Sequence, residues 1–251
     1  MRQGALSSLW KSARLYKLSG LRSAPWPARC WLCTGFGADA EGLCAGCRRD
    51  LPVRSRQRLE RAIAGVHSGY AAFRYDFPLT ALVRATKFHG DLAALEVLRR
   101  MFADALSHAA LSEGVSVLVP LPLPALRFLR RGFNQAGEMA SLLAQRCSLP
   151  VSHDALRRRQ LWAPPQSSLD AGARRSNALT AFEARSEVVR DQCVGLVDDV
   201  VTTGATAAGA ALALRRAGAR RVVLLCLAAT PPPRAARAIE PQVSRLVTDS
   251  A

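Results

Sequence analysis

Three strand-length apolar runs, separated by stretches with helical spacing, leave this chain few ways to fold. Val115-Ser-Val-Leu-Val119, Cys193 to Val197 and Val222 to Ala228 are continuously apolar rather than alternating. Strands of that kind are buried on both faces, which is the habit of a parallel sheet covered by helices. Between them the spacing predicts a helix from about Asn134 to Gln145, with Met139, Leu142 and Leu143 inward and Asn134 as N-cap. An Ala/Leu-rich helix from Ala205 to Arg216 follows the second run, with Gly218 placed to end it. Upstream, Val66 to Arg74 reads as one or two short strands, and Pro78 can start a helix through Leu79, Leu82 and Val83 towards Lys87. After Gly90, the stripe Leu92, Leu95, Leu98, Met101, Phe102 and Leu106 makes another helix. The fold class expected is α/β, a parallel sheet flanked by helices. With 49% apolar residues there is enough material for a core, which excludes a wholly disordered chain.

The second run ends in the chemistry. Asp198-Asp199-Val-Val-Thr202-Thr203-Gly204-Ala205-Thr206 carries two carboxylates out at the carboxyl end of a strand, where open α/β sheets bind ligands. The turn then opens a helix, so free N–H groups and the positive end of the helix dipole form an anion cradle. Gly204 allows close approach, and Thr202, Thr203 and Thr206 add hydroxyl donors. Acids beside an anion cradle repel the anion unless they face hydroxyls or a cation. The pattern therefore predicts a phosphorylated sugar: phosphate in the turn, diol on Asp198 and Asp199, and Mg²⁺ nearby. No Gly-Lys-[Ser/Thr] element is present, which excludes a P-loop.

Four cysteines fall within eighteen residues, as Cys30-x-x-Cys33 and Cys44-x-x-Cys47. Two such knuckles close a tetrahedral structural zinc site; two disulfides are the alternative in an oxidising compartment. The remaining Cys147, Cys193 and Cys226 sit in apolar contexts and read as buried small side chains. Residues 25–55 are short of aliphatic periodicity and need that staple to fold. The division expected is a basic amphipathic arm (1–24), a zinc ribbon (25–55), a sheet domain (64–230) and a peripheral tail (231–251). Residues 150–178, with five arginines and Pro164-Pro165, read as a long loop.

The formal charge is +16, from 35 basic against 19 acidic side chains, and only Lys11, Lys17 and Lys87 are lysines. An anionic partner fits that charge, and so does the arginine bias of a GC-rich genome. No run reaches the ~20 apolar residues of a membrane span. The N-terminus lacks a secretory apolar core, so a cytoplasmic protein is expected.

The acidic-threonine stretch resembles the ribose-phosphate-binding signature of type I phosphoribosyltransferases. That resemblance implies that Asp198 and Asp199 hold the ribose hydroxyls of phosphoribosyl pyrophosphate, with the 5′-phosphate on Thr202, Thr203, Gly204, Ala205 and Thr206. A pyrophosphate loop would follow the first core strand, near Pro120 to Pro124. A narrower resemblance is to the ComF family, phosphoribosyltransferase-like proteins tied to DNA uptake. It rests on Arg130-Arg131-Gly-Phe-Asn134-Gln135 after a Pro-Leu-Pro-Leu strand end, and on Lys87-Phe-His-Gly90-Asp91. It rests further on Gln166-x-x-Leu169 followed by Arg174-x-x-Asn177 and Ala181-Phe182. It runs from about Pro27 to Ala229, and its usual Cys ribbon agrees with the zinc reading. Pro124 stands where the family commonly has a histidine, and Ala163 where it has a threonine. Arg127, Arg130, Arg131 and Lys87 are the candidates for pyrophosphate, as cations converging on a helix N-terminus. The lid arginines Arg157 to Arg159, Arg174 and Arg175 could close over the same group.

Two functions of different class follow. One is phosphoribosyl transfer to an unidentified acceptor, with Mg²⁺. The other is a non-catalytic module that contacts single-stranded DNA or a helicase-like partner during DNA uptake. Few aromatics, 6% of the chain, are available for a base-stacking surface.

Overall fold

The computed structural model describes residues 29–54, 57–159 and 181–230. The basic arm, the lid residues Arg174 and Arg175, the segment Gln166 to Asn177 and the tail lie outside the described residues. Along the chain run α1 (Ala45–Arg49), β1 (Ser68–Arg74), α2 (Leu79–Arg84), a π turn (Ala85–His89), α3 (Leu92–Ser112), β2 (Val117–Pro120), α4 (Ala125–Arg131) and α5 (Gln135–Cys147). Then come β3 (Leu156–Arg158), β4 (Phe182–Ala184), α6 (Ser186–Val189), β5 (Cys193–Val201), α7 (Ala205–Arg216) and β6 (Arg221–Ala229).

The four long-range strands pair in parallel in the order β1-β6-β5-β2, so the two most apolar strands are central. Strand alternation sorts their side chains. Val223, Leu225 and Leu227 join α3 and α5 on one face, while Val222, Leu224 and Cys226 join α7 on the other. Gly195 lets the layers close: a Cβ there would lie 2.7 Å from Leu118 Cδ2 and 2.9 Å from Val115 Cγ1. Neither outer edge is left open. Val53 and Arg58 bridge antiparallel to Phe73 and Tyr70 of β1, with Ala71 N–H donating to Gln57 O at 2.8 Å and Leu59 N–H to Gly69 O at 2.7 Å. Val151 bridges to Leu118 on the far side of β2. Covering both edges removes the unpaired backbone groups that would template aggregation.

The structure differs from the sequence expectations in four places. Residues 150–159 are not all loop, because Leu156 to Arg158 pair antiparallel with Phe182 to Ala184 and bury Leu156 and Phe182 against α7. Arg127, Arg130 and Arg131 do not merely precede a helix; they ride on α4, which ends at Gly132 in the left-handed region (φ 78°). The helix from Pro78 stops at Arg84 and widens into the π turn that carries Lys87. Asn134 holds the N-cap position of α5, but its amide donates to Leu121 O at 3.0 Å and caps nothing.

The cysteine segment is not a free-standing ribbon. Cys30, Leu43 and Leu51 belong to the same buried cluster as Phe73, Val97 and Leu98. A Cβ at Gly42 would lie 2.9 Å from Val97 Cγ2, so this turn is pressed onto α3.

Candidate functional site

β5 extends three residues past Asp198, so both carboxylates leave the sheet from within the strand, with Asp198 paired opposite Cys226. Asp198 is buried, at 8% exposure, whereas Asp199 is half-buried. Asp199 Oδ2 lies 2.8 Å from Lys87 Nζ, and Asp198 Oδ1 accepts from Asp199 N–H at 2.8 Å. Burial pushes the Asp198 carboxyl up to about 7, and the neighbouring Asp199 charge adds to the rise. The Asp199 N–H, Lys87 and Arg158 oppose it. Asp198 therefore takes up a proton close to neutrality.

The chain after Val201 turns through Thr202, Thr203 and Gly204, and Gly204 takes φ 81° as the N-cap of α7. Gly204 has no side chain to cap that twelve-residue helix, and Thr203 Oγ1 accepts only from Ala205 N–H, at 3.3 Å, so the first turn and its dipole face the cavity. Two residues from far upstream brace the turn. Ile63 packs where a Gly204 side chain would be, 3.1 Å from an ideal Cβ. Arg61 donates to Thr202 O and, at 2.9 Å, to Thr230 O.

The opposite wall is the Pro120–Pro124 segment with α4 and the start of α5. Together the walls enclose about 230 Å³. Arg127, Arg131, Gln135 and Arg158 line it, along with Lys87, both aspartates and the Thr202–Ala207 turn. Arg131 Nε and Gln135 Nε2 are buried donors without an acceptor, although Arg131 Nη1 reaches Gln135 Oε1 at 3.3 Å. Burial holds the Arg131 guanidinium below its usual value, and the Arg127 and Arg130 charges push the same way against Asp199. Arg158 is shifted downward too, by burial and then Arg127, against Asp198. Asp198 and Asp199 offset these crowded cations only in part, and two buried donors are left over. The cavity suits an anion with several acceptor oxygens.

Lys87, Arg127, Arg131, Asp198, Asp199 and Thr202 to Thr206 thus meet at one cavity, whereas Arg130 points to solvent from α4 and does not line it. His89 is also exposed. Of the lid arginines, Arg158 enters the wall: its Nε donates to Pro122 O at 3.1 Å and its guanidinium stacks 4.8 Å from the Phe182 ring. Gln135 and Arg61 were not singled out by sequence. Gln135 follows Asn134 in a recognisable motif, but Arg61 meets Thr202 across 141 positions and no local pattern marks it.

Elsewhere, the thiols of Cys30, Cys33, Cys44 and Cys47 lie within 4.8 Å of one another. Cys33 Sγ and Cys44 Sγ are 3.8 Å apart, the edge of a tetrahedron whose centre-to-sulfur distance is about 2.3 Å, as for zinc. Burial alone would raise the Cys30 thiol, but N–H groups of Cys44, Cys33 and Leu32 bring it to about 6. Burial and then the neighbouring thiols push Cys47 upward, so it is the closeness of the four sulfurs that suits a metal ligand. Among the described residues, no helix is long and apolar enough to cross a membrane.

No family model matches the chain. The DNA utilization protein YhgH of Salmonella typhimurium is 30% identical over 200 residues, spanning 72% of this chain and 87% of that protein. The chain belongs to the ComF family. Competence protein F of Haemophilus influenzae is 28% identical to this ComF chain over 200 residues, covering 71% of it and 86% of the relative. Competence protein ComFC of Bacillus subtilis is 28% identical over 136 residues, 54% and 53% of the two chains. Among solved structures, the purine phosphoribosyltransferase of Pyrococcus horikoshii overlays 53% of this chain and 74% of its own, with TM-score 0.34 and 17% identity. An allosteric regulatory enzyme of purine biosynthesis overlays 51% of this chain with TM-score 0.35 and 18% identity, and the overlay spans 25% of that enzyme.

Proposed function

We propose that this ComF protein binds phosphoribosyl pyrophosphate and serves DNA uptake through that ligand. The observation that carries the reading is the pairing, in one 230 Å³ cavity, of two carboxylates with a helix N-terminus and a cationic wall in which Arg131 Nε and Gln135 Nε2 lack acceptors. A sugar diol satisfies Asp198 and Asp199, because hydroxyls donate to carboxylates where phosphate would be repelled. The 5′-phosphate lies in the Thr202–Thr206 turn at the N-terminal end of α7. The pyrophosphate lies against Arg127, Arg131 and Arg158, where it supplies the acceptors that Arg131 Nε and Gln135 Nε2 lack. Lys87 bridges from Asp199 towards the same group. Mg²⁺ would arrive with the pyrophosphate and neutralise its charge, and the oxygens of the Asp198–Asp199 edge are suited to its waters.

The chain's own residues can do part of a transfer reaction. Fixed cations would stabilise departing pyrophosphate, and buried carboxylates would hold the ribose as positive charge grows on its ring. The link to DNA uptake is supported by the competence and DNA utilization relatives. The Cys₄ cluster, on this reading, holds one structural zinc ion.

Fragments of the ligand test the assignment of the two ends. Ribose 5-phosphate should bind Arg127→Ala/Arg131→Ala as well as it binds wild type, whereas Mg·pyrophosphate binding should weaken by about tenfold or more. Loss of both fragments together, or of neither, would contradict the assignment. A single-stranded oligonucleotide titrated across a salt series measures DNA contact directly, since the slope reports the phosphates neutralised.

A further inference from the structure

A side-chain hydrogen bond ties the Cys-rich segment to the residue that follows the Lys87 turn. Trp31, next to Cys30, donates its indole Nε1–H to Asp91 Oδ2 at 3.0 Å. The other carboxylate oxygen of Asp91 accepts from Ala94 N–H at 2.9 Å and caps α3. Asp91 also closes the π turn, for its N–H and that of Gly90 both point to Ala85 O. From the middle of that turn Lys87 reaches Asp199 at 2.8 Å.

The turn itself is thinly held. Thr86 is anchored below it by bonds to Leu82 O and Val83 O, but Phe88 stands 64% exposed and His89 is exposed as well. Gly90 takes φ 65°, and nothing lies within 4 Å of where its side chain would be. A π turn on the solvent side needs an outside brace to keep one geometry, and such turns are frequent at functional sites. Trp31 is the brace from the ribbon. It is half-buried against the shared core, and its backbone N–H is fixed to Gly42 O at 3.0 Å.

We infer that Trp31, acting through Asp91, is a positioning residue for Lys87, so that the Cys₄ segment sets the pyrophosphate end of the cavity. The consequence for ligand affinity rests on the phosphoribosyl pyrophosphate reading; the mechanical link does not. Trp31→Phe keeps the ring packing and removes the donor. Asp91→Asn keeps an N-cap acceptor and removes the carboxylate oxygen that Trp31 uses.

Two measurements on the full chain decide it, with metal content checked by elemental analysis in every variant. Amide exchange of residues 86–91 should quicken about tenfold in both single variants, and in the double variant no further, while β5 and β6 stay unchanged. Mg·phosphoribosyl pyrophosphate affinity should fall about three- to tenfold in each, and Trp31→Phe should have no effect in a Lys87→Ala background. Unchanged exchange at 86–91, or a Trp31→Phe loss of equal size with and without Lys87, would overturn the inference. If wild type fails to bind Mg·phosphoribosyl pyrophosphate, the ligand reading falls and the exchange result alone decides whether Trp31 holds the turn.

Discussion

Asp198 concentrates the chemistry of the site in one carboxyl. Folding moves its pKa from 3.8 to about 7, mainly because the group is buried. A carboxyl raised by folding favours the native state while it is protonated, and this contribution is lost as the pH rises through the folded value. Asp198→Asn keeps an acceptor for the Asp199 N–H and removes the charge. At pH 8 the variant should therefore be more stable than wild type by on the order of 2–4 kcal/mol in thermal or denaturant unfolding. The gap should close as the pH falls below 3.8. Equal stability at pH 8 would show that the buried charge is not strained. Ligand binding should run the other way, weakening in wild type below about pH 7 as Asp198 takes up its proton. Gly204 is the second residue with a sharp consequence. Its φ of 81° and the Ile63 contact at 3.1 Å leave no room for a side chain. Gly204→Ala should cost about 1–3 kcal/mol in unfolding free energy and abolish measurable phosphate binding in calorimetry.

The turn between β5 and α7 is an element whose shape is set from outside. Its strand, its threonines and its helix are all local patterns, and they are legible in the sequence because each depends on neighbours within a few positions. Its braces are not. Arg61 reads as one more arginine in a basic run, yet it fixes Thr202 O and Thr230 O. Arg61→Ala should weaken Mg·phosphoribosyl pyrophosphate binding about tenfold, with Arg61→Lys partly restoring it; an unchanged dissociation constant would remove Arg61 from the site's support. The same physics explains the other misses. β3 has three residues, and its pairing partner lies beyond residues 160–180, so no window of sequence contains both. α4 was hidden by the prolines before it, although Pro124 at its N-cap and Gly132 at its end are ordinary helix boundaries. By contrast β5, β6, α5 and α7 fall close to where periodicity puts them.

At the scale of the molecule, the ribbon and the sheet are one body rather than two. Leu43 and Leu51 lie in the core with α3, and Val53, Arg54 and Gln57 to Leu59 pair alongside β1. Composition could not show this, because the ribbon brings only a few apolar residues and the rest of their surroundings come from α3. On the proposed zinc reading, removing the metal with a chelator should therefore lower the melting temperature of the whole chain in a single transition. A separate low-temperature transition, with the sheet unaffected, would mean the ribbon is independent. The charge of +16 also takes on structure. Arg48 is tied to Asp39 and Glu41 within the ribbon, Arg61 braces the Thr202–Gly204 turn, and Arg127, Arg131 and Arg158 line the cavity. Calorimetric titration of Mg·phosphoribosyl pyrophosphate into wild type and into Asp198→Ala/Asp199→Ala tests the phosphosugar assignment most directly. One molecule should bind per wild-type chain, with affinity about 100-fold weaker in the double variant. Equal affinity of the two proteins, or no binding by wild type, would contradict it.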